Sequence, residues 1–166
     1  MLSKKVIITG SFGVGKTSLF NRFVYSRFDE KYLTTIGVKV DKRTIEIDGR
    51  EISLLLWDIA GEVRQDKVPK SYFLGTSAVV YVIDLTRPST FDHVIADLDY
   101  LKNTLPKAPV FLVGNKTDLL CADELAARKA SFLVSPDFYT SAKTGENVEL
   151  LFNRIGAALL PNLATS

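Results

Sequence analysis

The chain has 166 residues, 46% of them apolar and 24% charged, a soluble-globular composition with enough length for one domain with a sizeable core and too little for a second. Its 21 basic and 19 acidic residues leave a net charge of +2, too close to neutral for a protein that grips a nucleic-acid backbone, so nucleic acid is not an expected partner. The longest apolar runs, 78–83 and 110–113, fall far short of the roughly 20 residues that span a bilayer.

In chain order, residues 6–9 predict a buried strand, followed by a Gly-rich loop and a helix over 16–25 in which Leu19, Phe20 and Phe23 recur at helical spacing. Residues 38–47 and 51–57 predict two strands. Asp48-Gly49 between them is a strong hairpin signal, so the pair is expected to run antiparallel. Strands are also expected at 78–83, 110–113 and 138–140, and helices at 89–104, 123–133 and 146–160, with Ser89 and Asp123 as N-caps. Pro106 and Pro109 punctuate the turn into the fifth strand. Strand-length runs alternating with helices indicate an α/β fold: a six-stranded, mostly parallel sheet with one antiparallel strand and helices on both faces. There is no internal repeat or linker, and residues 1–166 are read as one domain.

Gly10-Ser11-Phe12-Gly13-Val14-Gly15-Lys16-Thr17 fits G-x-x-x-x-G-K-[ST] and sits where that pattern has a mechanism, after a buried strand and opening a helix. The backbone amides of Gly13, Val14, Gly15 and the first helical residues through Ser18 can curl around phosphate oxygens. The helix N-terminus adds partial positive charge, Lys16 reaches the terminal phosphates, and Thr17 offers a hydroxyl to Mg²⁺. The fold is therefore read as a P-loop nucleotide-binding one. Asp58-Ile59-Ala60-Gly61 closes the third strand, with a carboxylate for the metal and a Gly61 amide for the terminal phosphate. Asn115-Lys116-Thr117-Asp118 follows the fifth strand and Ser141-Ala142-Lys143 the sixth, both at the sheet edge where ligands bind in open α/β folds. The two oxygens of Asp118 can accept the ring N–H and exocyclic amine of guanine, a pair that adenine does not donate. That disfavours a P-loop kinase or ATPase.

With these motifs the chain resembles a small GTPase of the Ras superfamily, nearest to the Rab branch, over essentially its whole length. The resemblance implies GTP and GDP as the bound nucleotides, Mg²⁺ as the metal, and GTP hydrolysis as the reaction. It implies Phe28 edge-on to the base, Thr35 as the second metal-binding hydroxyl beside Thr17, and Asp58 acting on the metal through water. Asn115 and Asp118 would read guanine, the Lys116 stem would lie along the base, and the Ala142 backbone, between Ser141 and Lys143, would meet its carbonyl oxygen. Segments 27–38 and 60–74 would be two switches that respond to the γ-phosphate. Lys16, Thr35, Gly61 and Glu62 would carry the hydrolysis.

Three departures stand out. Glu62 occupies the position where most of the family has a water-orienting Gln; an ionised carboxylate cannot donate a hydrogen bond and adds negative charge beside a triphosphate, so slow hydrolysis is expected. The competing reading makes Glu62 a working acceptor for the water. Phe12 places a large ring beside the γ-phosphate, either obstructing a partner's arginine or folding back harmlessly, and Arg64 is either an internal arginine finger or a solvated charge. Trp57 and Tyr72 match two positions of an aromatic triad with which Rabs read out their state to effectors, while Val40 takes the third; the two rings either form a partner surface or are buried. An effector, an exchange factor and an activating protein are the partners implied, with the chain itself monomeric. Leu2 in place of Gly and an ending without Cys carry no lipid-anchor signal, and a lone Cys121 suits a cytoplasmic location. The reading is a GTP-hydrolysing switch; the alternative is a nucleotide-stabilised interaction module with negligible turnover.

Overall fold

In the computed structural model, which describes residues 2–28, 37–61 and 64–162, the alternating runs form one sheet. Its strands are β1 (Leu2–Gly10), β2 (Val38–Ile47), β3 (Arg50–Ile59), β4 (Thr76–Asp84), β5 (Val110–Asn115) and β6 (Phe138–Thr140), and the helices are α1 (Lys16–Tyr25), α2 (Val94–Thr104), α3 (Ala122–Ser131) and α4 (Val148–Leu159). The strand order is β2-β3-β1-β4-β5-β6. Only β2 runs antiparallel, against β3; the other pairings are parallel. The hairpin turns at Asp48 and Gly49, whose φ of 52° and 78° give the left-handed pair that matches strand twist.

The strand pleat sorts the core into two layers. Val6 and Ile8 of β1, with Ala78, Val80 and Val82 of β4, pack with Leu19, Phe20 and Phe23 of α1 and Leu151, Phe152 and Ile155 of α4. Ile7, Val79, Tyr81 and Ile83 point to the other face and meet Val94, Leu98 and Leu101 of α2. Phe23 stacks on Phe152 with ring centroids 4.1 Å apart, both fully buried, each contributing about 1.5–3 kcal/mol through burial. In contrast, α3 buries none of its residues. Parallel β1, β3, β4, β5 and β6 bring their carboxyl ends, and the loops after them, to one edge.

Two expected caps are corrected. Ser89 does not open a helix over 89–104. A 3-10 turn, Pro88–Phe91, comes first, and α2 starts at Val94 after His93. The cause is Thr90, whose hydroxyl donates to the Arg87 carbonyl at 2.8 Å and accepts the Asp84 N–H at 3.1 Å, fixing a tight turn before the helix. Asp123 is not the N-cap of α3 either. Cys121 is, with its sulfur accepting the Glu124 N–H and the Glu124 carboxylate accepting the Cys121 N–H, a reciprocal box that starts the helix earlier. The last helix begins at Val148, because Asn147 stands in the left-handed region with φ 60°.

Candidate functional site

The loop after β1 wraps around the start of α1. Lys16 is 5% exposed and its Nζ donates to the Ser11 carbonyl at 3.0 Å, bridging the loop. Burial pushes its ammonium down to about 8; Asp58 opposes that shift and Arg87 adds to it. Gly15 takes φ 101°, and a Cβ there would lie 2.2 Å from Asn115 Nδ2, so no side chain fits. A Cβ on Gly61 would lie 2.5 Å from Phe12 Cα and 3.0 Å from Lys16 Nζ, so the end of the third-strand motif touches the loop. Phe12, Gly13, Gly15, Lys16, Thr17, Ser18 and Gly61 line one small concavity.

Consecutive carbonyls of the loop are gripped from outside. Phe12 O accepts from Arg87 Nη2 at 2.7 Å, Gly13 O from Lys116 Nζ at 2.9 Å, and Val14 O from Asn115 Nδ2 at 3.1 Å. With the carbonyls engaged, the amides remain for an anion. The Thr17 hydroxyl donates to Asp58 Oδ2 at 2.6 Å, and Asp58 is fully buried. Two hard oxygens side by side beside this loop fit Mg²⁺, which takes one or two protein oxygens directly or through water and completes its shell with water and other oxygen ligands. Among the described residues no three His, Cys, Asp or Glu side chains gather into a metal cluster.

At the far end of the edge, Asn115 is the hinge between the loops: its Oδ1 accepts from the Thr140 hydroxyl at 3.0 Å and from the Ala142 N–H at 3.3 Å. Asp118 is exposed, with Oδ1 accepting the Ser141 hydroxyl at 2.7 Å, so its carboxylate is oriented before any ligand arrives. Lys143 is exposed, and Phe28 is half-buried against the α1 and α4 core. Thr35 and Glu62 lie outside the described residues, as do most of segment 27–38 and residue 63 of segment 60–74.

Other expectations take definite places. Arg64 sits on Asp66 at 2.7 Å in an exposed pair. Phe12 is 49% exposed. Trp57 and Tyr72 are half-buried on the α2-side core, with Lys5 Nζ 3.6 Å from the Trp57 ring centre and bonded to the Tyr72 carbonyl; Val40, opposite Trp57 in the β2–β3 register, is 46% exposed. A larger cavity of about 510 Å³, between the start of α2 and the end of α3 and lined by Phe91, Ile95 and Leu133 among others, contains none of the predicted site residues, and its lining has no phosphate-binding pattern.

Sequence reasoning missed three residues that serve the site. Arg22 of α1 donates through Nε to the Ala142 carbonyl at 2.8 Å and through its fork to the Lys143 carbonyl. Asp84, fully buried at the end of β4, pairs with Lys116 at 2.9 Å and Arg87 at 3.5 Å. The only sequence signal was a carboxylate closing an otherwise apolar strand; Arg22 and Arg87 act on loops distant in the chain.

The family model described as the Ras family matches residues 5–160. The chain is also similar to a curated protein of Theileria annulata, Ras-related protein Rab-1, with 35% identity over 164 residues, covering 93% of this chain and 73% of the relative.

Proposed function

Since the chain belongs to the Ras family and is a Rab-like, GTP-binding small GTPase, we propose that residues 1–166 act as one domain that binds GTP with Mg²⁺, hydrolyses it slowly to GDP, and uses the two states to control a partner protein. The observation that carries this reading is the buried Lys16 ammonium resting on the Ser11 carbonyl, held down to about 8 by desolvation, in a loop whose outward carbonyls are already gripped. A terminal phosphate offers that cation a counter-charge beyond the one Asp58 supplies.

In this reading Lys16 and the amides from Gly13 through Ser18 hold the phosphates and stabilise charge developing on them. Thr17 and Thr35 would hold Mg²⁺, with Asp58 supporting it through water, and the ion would supply counter-charge to the phosphates. The Gly61 amide would reach the terminal phosphate, and Glu62 would act on the attacking water. Asp118, oriented by Ser141, would accept two donors of guanine; Asn115 would read the base beside it and, by accepting the Ala142 N–H, fixes the loop whose backbone would meet the base carbonyl once that N–H turns to the ligand, while Lys116 would lie along the ring, Lys143 continues that loop and Phe28 would cover the ring edge. An effector would read the face around Trp57 and Tyr72, with exchange and activating proteins as further partners and a monomeric, cytoplasmic chain as the working form. No helix among the described residues is long and apolar enough to cross a membrane.

The test is to purify the protein without added nucleotide, denature it and identify what it releases by ion-exchange chromatography. GDP supports a completed hydrolytic cycle. GTP favours the second reading, an interaction module with negligible turnover, which the half-exposed Phe12 ring at the loop mouth recommends. Absence of any guanine nucleotide, joined to failure to bind added GDP, overturns both.

A further inference from the structure

We infer that Arg87 is a positioning residue for the phosphate loop, one that turns the Gly13 amide toward the nucleotide; this rests on the nucleotide-binding reading above. A trans peptide is planar, so the carbonyl of one residue and the N–H of the next point in opposite directions. A side chain that grips a carbonyl from outside therefore aims the following amide inward. In this loop the Phe12, Gly13 and Val14 carbonyls are held by Arg87, Lys116 and Asn115, which aims the amides of Gly13, Val14 and Gly15. Asn115 and Lys116 belong to one motif after β5. Arg87 comes from the loop after β4 and completes the row at the end nearest Gly61, whose hypothetical Cβ would touch Phe12.

The Arg87 side chain is aimed rather than free. Its Nε lies 3.5 Å from Asp84 Oδ2, the oxygen that also pairs with Lys116 Nζ at 2.9 Å, so one buried carboxylate anchors two of the three grips. Asp84 Oδ1 is fixed by the Thr86 N–H at 2.8 Å and the Thr86 hydroxyl at 2.6 Å. The Arg87 backbone is fixed in turn, with its N–H on the Asp84 carbonyl at 3.0 Å and its carbonyl on the Thr90 hydroxyl. Pro88 follows and limits the turn further. The guanidinium thus spans Asp84 and the Phe12 carbonyl, a geometry that its planar fork of donors suits and a lysine ammonium does not. Because the Arg87 side chain is 42% exposed, solvent screens the bond, and the expected effect on nucleotide retention is about three- to tenfold rather than a total loss.

The experiment compares wild type, Arg87→Ala and Arg87→Lys as full chains with Mg²⁺ and fluorescent GDP. Three quantities are read: the GDP dissociation rate, the backbone amide resonances of residues 13–15, and the thermal midpoint. The inference expects Arg87→Ala to release GDP about three- to tenfold faster and to move the Gly13 resonance while those of Val14 and Gly15 stay, with Arg87→Lys intermediate. Dissociation within about twofold of wild type, or an equal movement of all three amides together with a lowered midpoint, overturns it by showing no role or general loosening. If Arg87→Ala does not fold, Arg87→Lys carries the same test on the same two readouts. Wild type that binds GDP beside an unaffected variant defeats this inference alone; wild type that binds no GDP defeats the nucleotide-binding reading with it.

Discussion

Asp97 supplies the sharpest energetic test of the fold that carries the site. It lies on α2, 4% exposed, and its two oxygens have different partners: Oδ2 accepts the Tyr81 hydroxyl at 2.5 Å and Oδ1 the Gln65 N–H at 2.9 Å. Gln65 is fully buried and its Oε1 accepts the Thr9 hydroxyl at 2.8 Å. The cluster therefore ties the short turn just past Gly61, Gln65–Lys67, to β1, β4 and α2. Asp97→Leu removes both acceptors and strands two buried donors, and its larger side chain adds a packing cost to the polar one. At about 1–3 kcal/mol per unsatisfied group the loss is about 2–6 kcal/mol, a large part of the roughly 5–15 kcal/mol that holds a domain together. For a chain of this size each kcal/mol lowers the melting midpoint by about 2–4 °C, so a fall of roughly 4–24 °C is expected.

The double variant separates this account from mere packing. Tyr81→Phe alone leaves Asp97 with one donor and is expected to cost about 1–3 kcal/mol. Once Asp97 is gone, the Tyr81 hydroxyl is a liability, so adding Tyr81→Phe to Asp97→Leu should recover stability, with a coupling energy of about 1–2 kcal/mol. Urea unfolding followed through the single Trp57, at saturating nucleotide and with m checked for constancy, measures all four proteins. A coupling within about 0.5 kcal/mol of zero, or a cost below about 1 kcal/mol for Asp97→Leu, refutes the reasoning.

Gly15→Ala should release GDP at least about tenfold faster and cost about 2–4 kcal/mol, because φ 101° strains any L side chain and Asn115, bound to Val14, Thr140 and Ala142, cannot retreat from the new Cβ; nucleotide dissociation and thermal unfolding check it. Burial and Asp97 push the Tyr81 hydroxyl far above its ordinary value of 10.0. The unfolded chain then binds fewer protons than the folded one above that pH, so stability should fall with rising pH there by about 1.4 kcal/mol per unit, and Tyr81→Phe should flatten the decline in pH-dependent urea unfolding. Glu62→Gln should raise the single-turnover hydrolysis rate about three- to tenfold by restoring a donor and removing a charge beside the triphosphate; an unchanged or slower rate rejects that role.

Much of the fold was written locally. The helix over 16–25, the hairpin at Asp48-Gly49 and the strand at 138–140 fall where spacing and turn chemistry put them, since each depends on residues within a few positions. The caps at Ser89 and Asp123 failed for a physical reason of the same scale. Several residues nearby could cap, and the outcome turned on which side chain had the better partner: Thr90 found the carbonyls of the preceding turn, and Cys121 found a reciprocal Glu124. Single-residue propensities do not rank such competitors.

The candidate site divides along the same line. Lys16, Thr17, Asp58, Asn115, Asp118 and Ser141 are legible because each stands in a short pattern at a strand end, and parallel strands oblige those ends to share one edge. Arg22, Asp84 and Arg87 are not, because what they do depends on contacts with residues far away in the chain: Arg22 reaches a carbonyl at 142, Arg87 one at 12, and Asp84 the ammonium of Lys116. The distinction is chemical as well as positional. A motif residue would offer its side chain to a ligand, whose chemistry restricts its type; a supporting residue offers its side chain to a backbone carbonyl, a partner every residue carries, so its role leaves no local pattern in the sequence. Lys116 joins the two classes, since the same ammonium that belongs to the proposed base-reading motif grips the Gly13 carbonyl and pairs with Asp84. Replacing it would disturb both ends of the proposed nucleotide site at once, whereas Arg87 meets the loop itself only at the Phe12 carbonyl and its other partner is Asp84. That is why Arg87, of all the residues around the loop, offers the cleaner measure of how much the orientation of one peptide contributes to holding a nucleotide.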